Sequence, residues 1–207
     1  GWTLVQLANR IADIYLSLLS GKTLVIKEAP AYSDHVEAEE KYRDSEDFAE
    51  DGSFWHSVLT DNALRGEANT KRSGMLISPV GKRSSFVFSE TVNHLITRFC
   101  RSNNATPFSV FAMALFVYLS RMRSSGQTVL GVPVINRTTF KDKQTGGMFV
   151  STLPFFINAD PNSTLEEFNV SLTESWYDLL RHQKYPFSEI LRDARTVNPG
   201  TTGLFDI

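Results

Sequence analysis

Gly146-Gly147-Met148-Phe149-Val150-Ser151-Thr152-Leu153-Pro154 is the stretch whose reading decides how this chain folds. Two adjacent glycines free the backbone to turn, or to accept another segment at close range. The apolar, β-branched and aromatic run behind them reads as a strand entering a core and continuing to Ile157. Just upstream, residues 128–135 read as a mostly buried strand, with Pro133 near an edge or at its end and Arg137 beyond it. Residues 136–144, between the two strands, read as a polar loop. Downstream, Asp160-Pro161-Asn162-Ser163-Thr164 supplies turn and cap residues. Leu165, Phe168, Leu172, Trp176, Leu179 and Leu180 then give residues 165–181 the spacing of an amphipathic helix. Pro186 forces a break, a short helix follows over residues 187–194, and a final strand is expected from Leu204.

Toward the amino terminus, Leu4, Leu7, Ala8, Ile11, Ile14, Tyr15, Leu18 and Leu19 predict an amphipathic helix over residues 2–20, stopped by Gly21. Gly21-Lys22-Thr23 imitates the end of a phosphate-binding loop. The motif's first glycine would fall on Leu16, and the tripeptide closes a helix instead of following a strand, so that reading is rejected. Ser33 is expected to cap a helix running to about residue 50. The nine carboxylates from Asp34 to Asp51 read as its solvated face. Phe54, Trp55, Val58 and Leu59 continue as a short helix with an apolar side. Residues 62–83 turn polar and slightly basic, the composition of a linker or lobe boundary. Residues 83–88 read as a strand, and Ser89 as the cap of a helix whose stripe is Val92, Leu95, Ile96, Phe99 and Cys100. Cys100 on that stripe reads as an inert structural thiol. Residues 107–122, apolar almost all round, predict a helix buried on most sides, with Pro107 in its first turn. Strands alternating with helices argue for an α/β layered architecture.

The chain has 207 residues, 42% hydrophobic and 21% charged, which is ordinary for a globular protein with a real core. A net charge of −2 gives no reason to expect a nucleic-acid or polyanion partner. Cys100 is the single cysteine, so no internal disulfide can form, which fits a reducing cytoplasm. No apolar run reaches the length of a membrane span and no signal peptide opens the chain. Asn-x-Ser/Thr matches at Asn104, Asn136, Asn162 and Asn169 therefore read as chance spacings. Gly-x-Ser-x-Gly is absent, and His35, His56, His94 and His182 stand far apart without zinc spacing. Neither a metal site nor a serine triad is expected. The chain opens at Gly1-Trp2 and closes inside the apolar run Leu204-Phe205-Asp206-Ile207, so both ends look cut.

Several short motifs, in order, carry a family resemblance. Gly147-Met148-Phe149-Val150-Ser151-Thr152-Leu153 closely resembles the Gly-x-Phe-Val-Asn-Thr-Leu of nonribosomal peptide synthetase condensation domains, with Ser151 in place of asparagine and Phe156 in place of a later arginine. His182-Gln183-Lys184-Tyr185-Pro186-Phe187 resembles the family's His-Gln-Asp-Tyr-Pro-Phe, with Lys184 in place of aspartate. Gly1-Trp2-Thr3 is similar to the last piece of the signature His-His-x-x-x-Asp-Gly, whose histidines and aspartate would precede Gly1. Tyr32-Ser33-Asp34 matches the start of a Tyr-x-Asp motif, with Ala38 where its tryptophan is expected. The resemblance spans essentially the whole chain.

That resemblance implies the chloramphenicol acetyltransferase-like fold, an α/β mixed sheet flanked by helices, here incomplete. Residues 1–75 would form the end of a first lobe plus linker, and residues 76–207 most of the second lobe. It implies amide formation between a donor thioester and an acceptor aminoacyl thioester, held in a tunnel between lobes. The 4'-phosphopantetheine arms belong to partner carrier-protein domains, an adenylation domain is adjacent, no cofactor binds directly, and the setting is cytoplasmic, without membrane or nucleic acid. A thioester is already activated, so alignment supplies much of the acceleration, and a histidine handles the amine's proton. No catalytic residue is expected within the chain, since that histidine would lie upstream of Gly1, and the 207 residues alone are expected to be inactive. Gly1, Trp2 and Arg137 are the expected active-site supports, the family pairing its signature aspartate with an arginine at the place of Arg137. Gly146, Gly147, Met148, Phe149 and Ser151 are expected along the substrate tunnel. Plainer readings stand beside these: Arg137 as a loop residue in water, the glycines as a simple turn into a strand, and His182 as a helix end interacting with the last carbonyls. Alternative functions are an epimerisation or cyclisation relative, a stand-alone acyltransferase, or an inactive module docking carrier proteins.

Overall fold

Helix α1 (Trp2–Leu19) forms where the 3.6-residue spacing placed it, and Gly21 ends it with a φ of 60°, a left-handed conformation suited to glycine. The computed structural model describes residues 1–21, 28–64, 83–123, 127–158, 160 and 162–205. By mutual contact the chain gathers into two compact units, Gly1–Asp51 with Pro133–Ser151, and Gly52–Val132 with Thr152–Ile207. Lys22, Thr23 and the expected lobe boundary at residues 75 and 76 lie outside the described residues, as does most of the predicted linker.

The first unit contains α1, α2 (Tyr32–Arg43), the start of α3 (Glu46–Leu64) and the short α6 (Phe140–Gln144). One helix from Ser33 to residue 50 was the sequence expectation; the structure breaks it at Asp44 and Ser45. Ser33 lies inside the first turn of α2, whose N-cap is Ala31 without a side-chain bond. Ser45 does the capping instead, its Oγ accepting from the Phe48 amide at 3.3 Å. The carboxylates of this stretch are solvated except Asp51, which is buried and accepts a hydrogen bond from the Tyr42 hydroxyl. α6 was read as loop. Its start is fixed by a capping box in which Thr139 and Asp142 exchange bonds at 2.8 and 3.1 Å.

The second unit is built on α5 (Pro107–Arg123), against which α4 (Glu90–Ser102) and α7 (Leu165–Arg181) pack. Strands β1 (Gln127–Val134) and β2 (Ser151–Asn158) pair as a two-stranded sheet. Phe108, Phe155 and Trp176 form one aromatic cluster, and Phe116 meets Phe168 edge-on at 5.1 Å. Thr106 and Ser109 cap α5 reciprocally, each side-chain oxygen accepting the other's amide at 3.0 and 3.1 Å. α5 is not covered on most sides as its composition predicted. Ala112, Met113, Phe116 and Leu119 are buried, whereas Phe111, Tyr118 and Met122 are exposed. An all-round apolar helix tells that burial is wanted, not which side receives it. Cys100 is likewise only half-buried, not deep in a stripe.

Residues 83–88 form no strand, and Phe86 and Val87 are almost fully exposed. β-propensity alone cannot hold a strand that has no neighbour to complete its ladder. Residues 204 and 205 are also without strand pairing. Phe205 instead meets Phe187 at a tilt, ring centres 5.4 Å apart, and lies against Gly131, where an added Cβ would come within 2.3 Å of its ring. α8 (Phe187–Val197) runs three residues past the expected end, with Pro186 at its N-cap. Tyr185 is buried and its hydroxyl donates to Asp193 at 3.0 Å, locking α8 down as the Tyr-Pro-Phe tripeptide suggested. Among the described residues no single helix is long and apolar enough to cross a membrane.

Candidate functional site

In the first unit, two segments distant in sequence converge on residues 137–149. The amino-terminal turn of α1 contributes Trp2, Thr3 and Gln6. The Trp2 indole N–H donates to the Lys143 carbonyl at 2.9 Å, and the Gln6 amide reaches the same oxygen. Thr3 Oγ1 accepts from the Gly147 amide at 3.1 Å and donates to the Gly147 carbonyl at 3.0 Å. Gly1 is the N-cap of α1, its carbonyl accepting the Leu4 and Val5 amides. Gly146 passes the Thr3 methyl, where an added Cβ would sit at 3.6 Å, an ordinary contact.

Arg137 is the anchor of the loop. It is only 8% exposed, and its guanidinium donates to the carbonyls of Asp142, Thr145 and Gly147, the last two at 2.7 and 3.0 Å. The expectation of a loop arginine in water is therefore overturned. Among the described residues its hydrogen-bond partners are backbone carbonyls, because a loop turning back on itself aims several oxygens at one point. Burial lowers the Arg137 pKa, with Asp142 and Tyr32 acting the other way. The cation also lies 3.8 Å above the Phe149 ring and 6.0 Å from that of Trp2.

The other segment is the start of α2. Tyr32 donates its hydroxyl proton to the Met148 carbonyl at 2.7 Å. Its ring occupies the space a side chain at residue 147 would need: a Cβ on Gly147 would fall 2.2 Å from Tyr32 Cδ2. Gly147 also has a φ of 150°, so both sterics and backbone demand glycine. The His35 ring stacks on Phe149 at 4.0 Å, and Lys141 pairs with Asp34 at 2.9 Å. Phe149 is buried, Met148 is exposed, and Ser151, half-buried, opens β2.

Trp2, Arg137 and Gly146 to Phe149 are thus brought together within the first unit. Gln6 and His35 were not singled out, and nothing in their local pattern marks them; Thr3 and Tyr32 stood inside quoted motifs without a role. His182 lies in the second unit. Its ring stacks on Phe54 at 4.0 Å and its carbonyl accepts the Trp55 indole N–H at 3.1 Å. Among the described residues no group of His, Cys, Asp and Glu is placed to hold a metal ion.

Comparison with known proteins gives this geometry its family. The description of the condensation domain matches residues 1–207. The chain belongs to the condensation-domain family. A similar protein is surfactin synthase subunit 1 of Bacillus subtilis, 33% identical over 203 residues, covering 97% of this chain and 6% of that one. Cyclosporin synthetase simA of Tolypocladium inflatum is 26% identical, over 92% of this chain and 1% of its own length. Among solved structures, the first condensation domain of the CDA synthetase superposes with a TM-score of 0.79 at 21% identity, covering 99% of this chain and 44% of that one. The starter condensation domain of rhizomide synthetase gives 0.73 at 24%, over 99% and 45%. The fold is therefore that of condensation domains, chloramphenicol acetyltransferase-like. This condensation-domain chain spans less than half of those solved chains and under a tenth of the surfactin and cyclosporin enzymes.

Proposed function

We propose that this chain forms part of a condensation domain that joins a donor acyl or peptidyl thioester to an acceptor aminoacyl thioester. The observation that carries this reading is the fastening of Trp2 and Thr3 onto the Lys143–Gly147 backbone beside Arg137. In the resemblance, Gly1-Trp2 continues the segment bearing the active-site histidine. A clamp from that segment to the Gly147 loop fixes both relative to one another within one packed unit. The acceptor nitrogen attacks the donor carbonyl carbon, a C–N bond forms, the C–S bond breaks, and the amine proton ends on the departing thiol. The residues of this chain hold and orient; they move no proton.

In the same reading Gly1, Trp2 and Arg137 support the active site, while Gly146, Gly147, Met148, Phe149 and Ser151 border the substrate path. The first-lobe and second-lobe assignment of residues 1–75 and 76–207 belongs to this proposal. So do the partners: carrier-protein domains bearing 4'-phosphopantetheine and an adjacent adenylation domain, in the cytoplasm. The rhizomide synthetase relative was solved in complex with C8-CoA and Leu-SNAC, which suits such a pair of substrates.

The test is to supply the intact protein with acyl-loaded donor and aminoacyl-loaded acceptor carrier proteins and to weigh the acceptor by mass spectrometry. The acceptor is expected to gain the donor acyl group through an amide. Inversion of an α-carbon without transfer, heterocycle formation with loss of water, or no transfer at all would replace this reading by epimerisation, cyclisation or docking, respectively.

A further inference from the structure

The loop between α6 and β2 has no regular secondary structure, so no ladder of backbone bonds fixes its course. Its path is set from outside. Thr3 holds both polar backbone groups of Gly147, its N–H and its carbonyl, and Arg137 shares that carbonyl. The next carbonyl, that of Met148, is held by the Tyr32 hydroxyl at 2.7 Å. Tyr32 is 41% exposed, so burial of its ring is not its main contribution. The ring covers Gly147 in the space a side chain would fill, and meets Phe149 edge-on at 5.8 Å. A phenylalanine would cover Gly147 equally well; the hydroxyl adds one thing, the bond that orients the Met148 peptide.

We propose that Tyr32 is a positioning residue for amide formation, its hydroxyl fixing the Met148 carbonyl so that residues 148–151 keep one course along the substrate path. This rests on the reading that the loop borders that path. Tyr32 touches neither substrate; it acts through the loop. Losing one hydrogen bond of ordinary net strength shifts the balance between the productive loop course and its alternatives by roughly three- to tenfold, and kcat falls with the productive fraction.

The experiment compares the intact protein with Tyr32→Phe and Tyr32→Leu. The measurements are kcat, KM for each carrier-borne thioester, the thermal midpoint, and hydrogen–deuterium exchange of the peptide covering residues 146–151. Tyr32→Phe is expected to lower the midpoint by no more than about 4 °C, leave both KM values near those of the parent, lower kcat about fivefold, and speed exchange in that peptide. Tyr32→Leu, which also uncovers Gly147, is expected to lose at least as much. Unchanged kcat or unchanged exchange in Tyr32→Phe overturns the inference, as does a rise in KM at constant kcat. If the parent protein forms no amide, it is the functional reading that fails; exchange then still reports whether Tyr32 holds the loop, and the role in amide formation falls with that reading.

Discussion

The guanidinium carbon of Arg137 lies 3.8 Å from the centre of the Phe149 ring, while its N–H groups are spent on carbonyls of the same loop. A single side chain therefore links the end of β1 to the approach to β2. Lysine has one compact ammonium in place of a planar fork and cannot reach several carbonyls while lying over the ring. Arg137→Lys is expected to destabilise the intact protein by about 2 kcal/mol and Arg137→Ala by about 3 kcal/mol, since buried carbonyls are left without donors. Urea unfolding measures both. An alanine variant with the parent's stability and activity would show that the loop holds itself.

Gly147, expected from sequence along the substrate tunnel, is tightly confined by its surroundings. Gly147→Ala brings a Cβ to 2.2 Å from the Tyr32 ring at a φ of 150°. Strain and overpacking together predict a loss of about 2–4 kcal/mol alongside any loss of activity. A thermal melt within one or two degrees of the parent would contradict the geometry.

Trp55 is 1% exposed and its indole N–H donates to the carbonyl of His182 at the end of α7. Trp55→Phe keeps an aromatic ring but shortens it and strips that carbonyl of its donor. A loss of about 2–3 kcal/mol is expected, from the smaller ring and the unpaired acceptor together. His182→Ala keeps the carbonyl and gives up the stacking on Phe54, so it is expected to cost less, about 1 kcal/mol.

α7 shows why some of this was legible in the sequence. Its bounds were read without error because its apolar spacing is regular and Thr164 and Glu167 mark its start. The motif around Gly147 was equally legible, since glycine at a forced φ beside an aromatic run is a local signal. What sequence did not show was pairing. Residues 83–88 carry strand composition, yet a strand exists only with a neighbour, and neighbours are not written locally. α6 escaped because five residues are too few for periodicity, and only the Thr139–Asp142 box betrays it. His35 and Gln6 escaped because their role depends on a fold-back across more than a hundred residues, which no local pattern encodes.

The capping box of α7 makes an acid-sensitive prediction. The Thr164 amide and hydroxyl bond the Glu167 carboxylate at 2.8 and 3.1 Å, and these bonds hold its pKa below the usual value. A carboxyl group with a depressed folded pKa contributes stability above its unfolded pKa and loses it as pH falls through the folded one. Thr164→Ala is expected to cost about 1 kcal/mol at neutral pH. Glu167→Gln is expected to differ from the parent near pH 7 and to converge on it in acid. Parallel stability curves for the two proteins across that range would remove the carboxylate from the account.

Tyr185 gives the opposite limb. Burial, reinforced by the hydrogen bond to Asp193 and by the negative charge of Asp193 and Glu189, pushes its phenol up to about 12. Its ring also lies under Gly52, where an added Cβ would come within 3.2 Å of the hydroxyl, so the phenolate has little room to rehydrate. The folded protein thus keeps a proton that the unfolded chain releases near pH 10. Stability from this group is fully present below pH 10 and is lost as pH rises toward 12. Tyr185→Phe is expected to cost about 1 kcal/mol at pH 8, from the lost bond to Asp193, and to show a shallower decline than the parent above pH 10. Chemical denaturation at successive pH values measures both slopes. An identical alkaline decline in the two proteins would mean that another group controls it, and that the Tyr185 hydroxyl is no more protected in the fold than in the open chain.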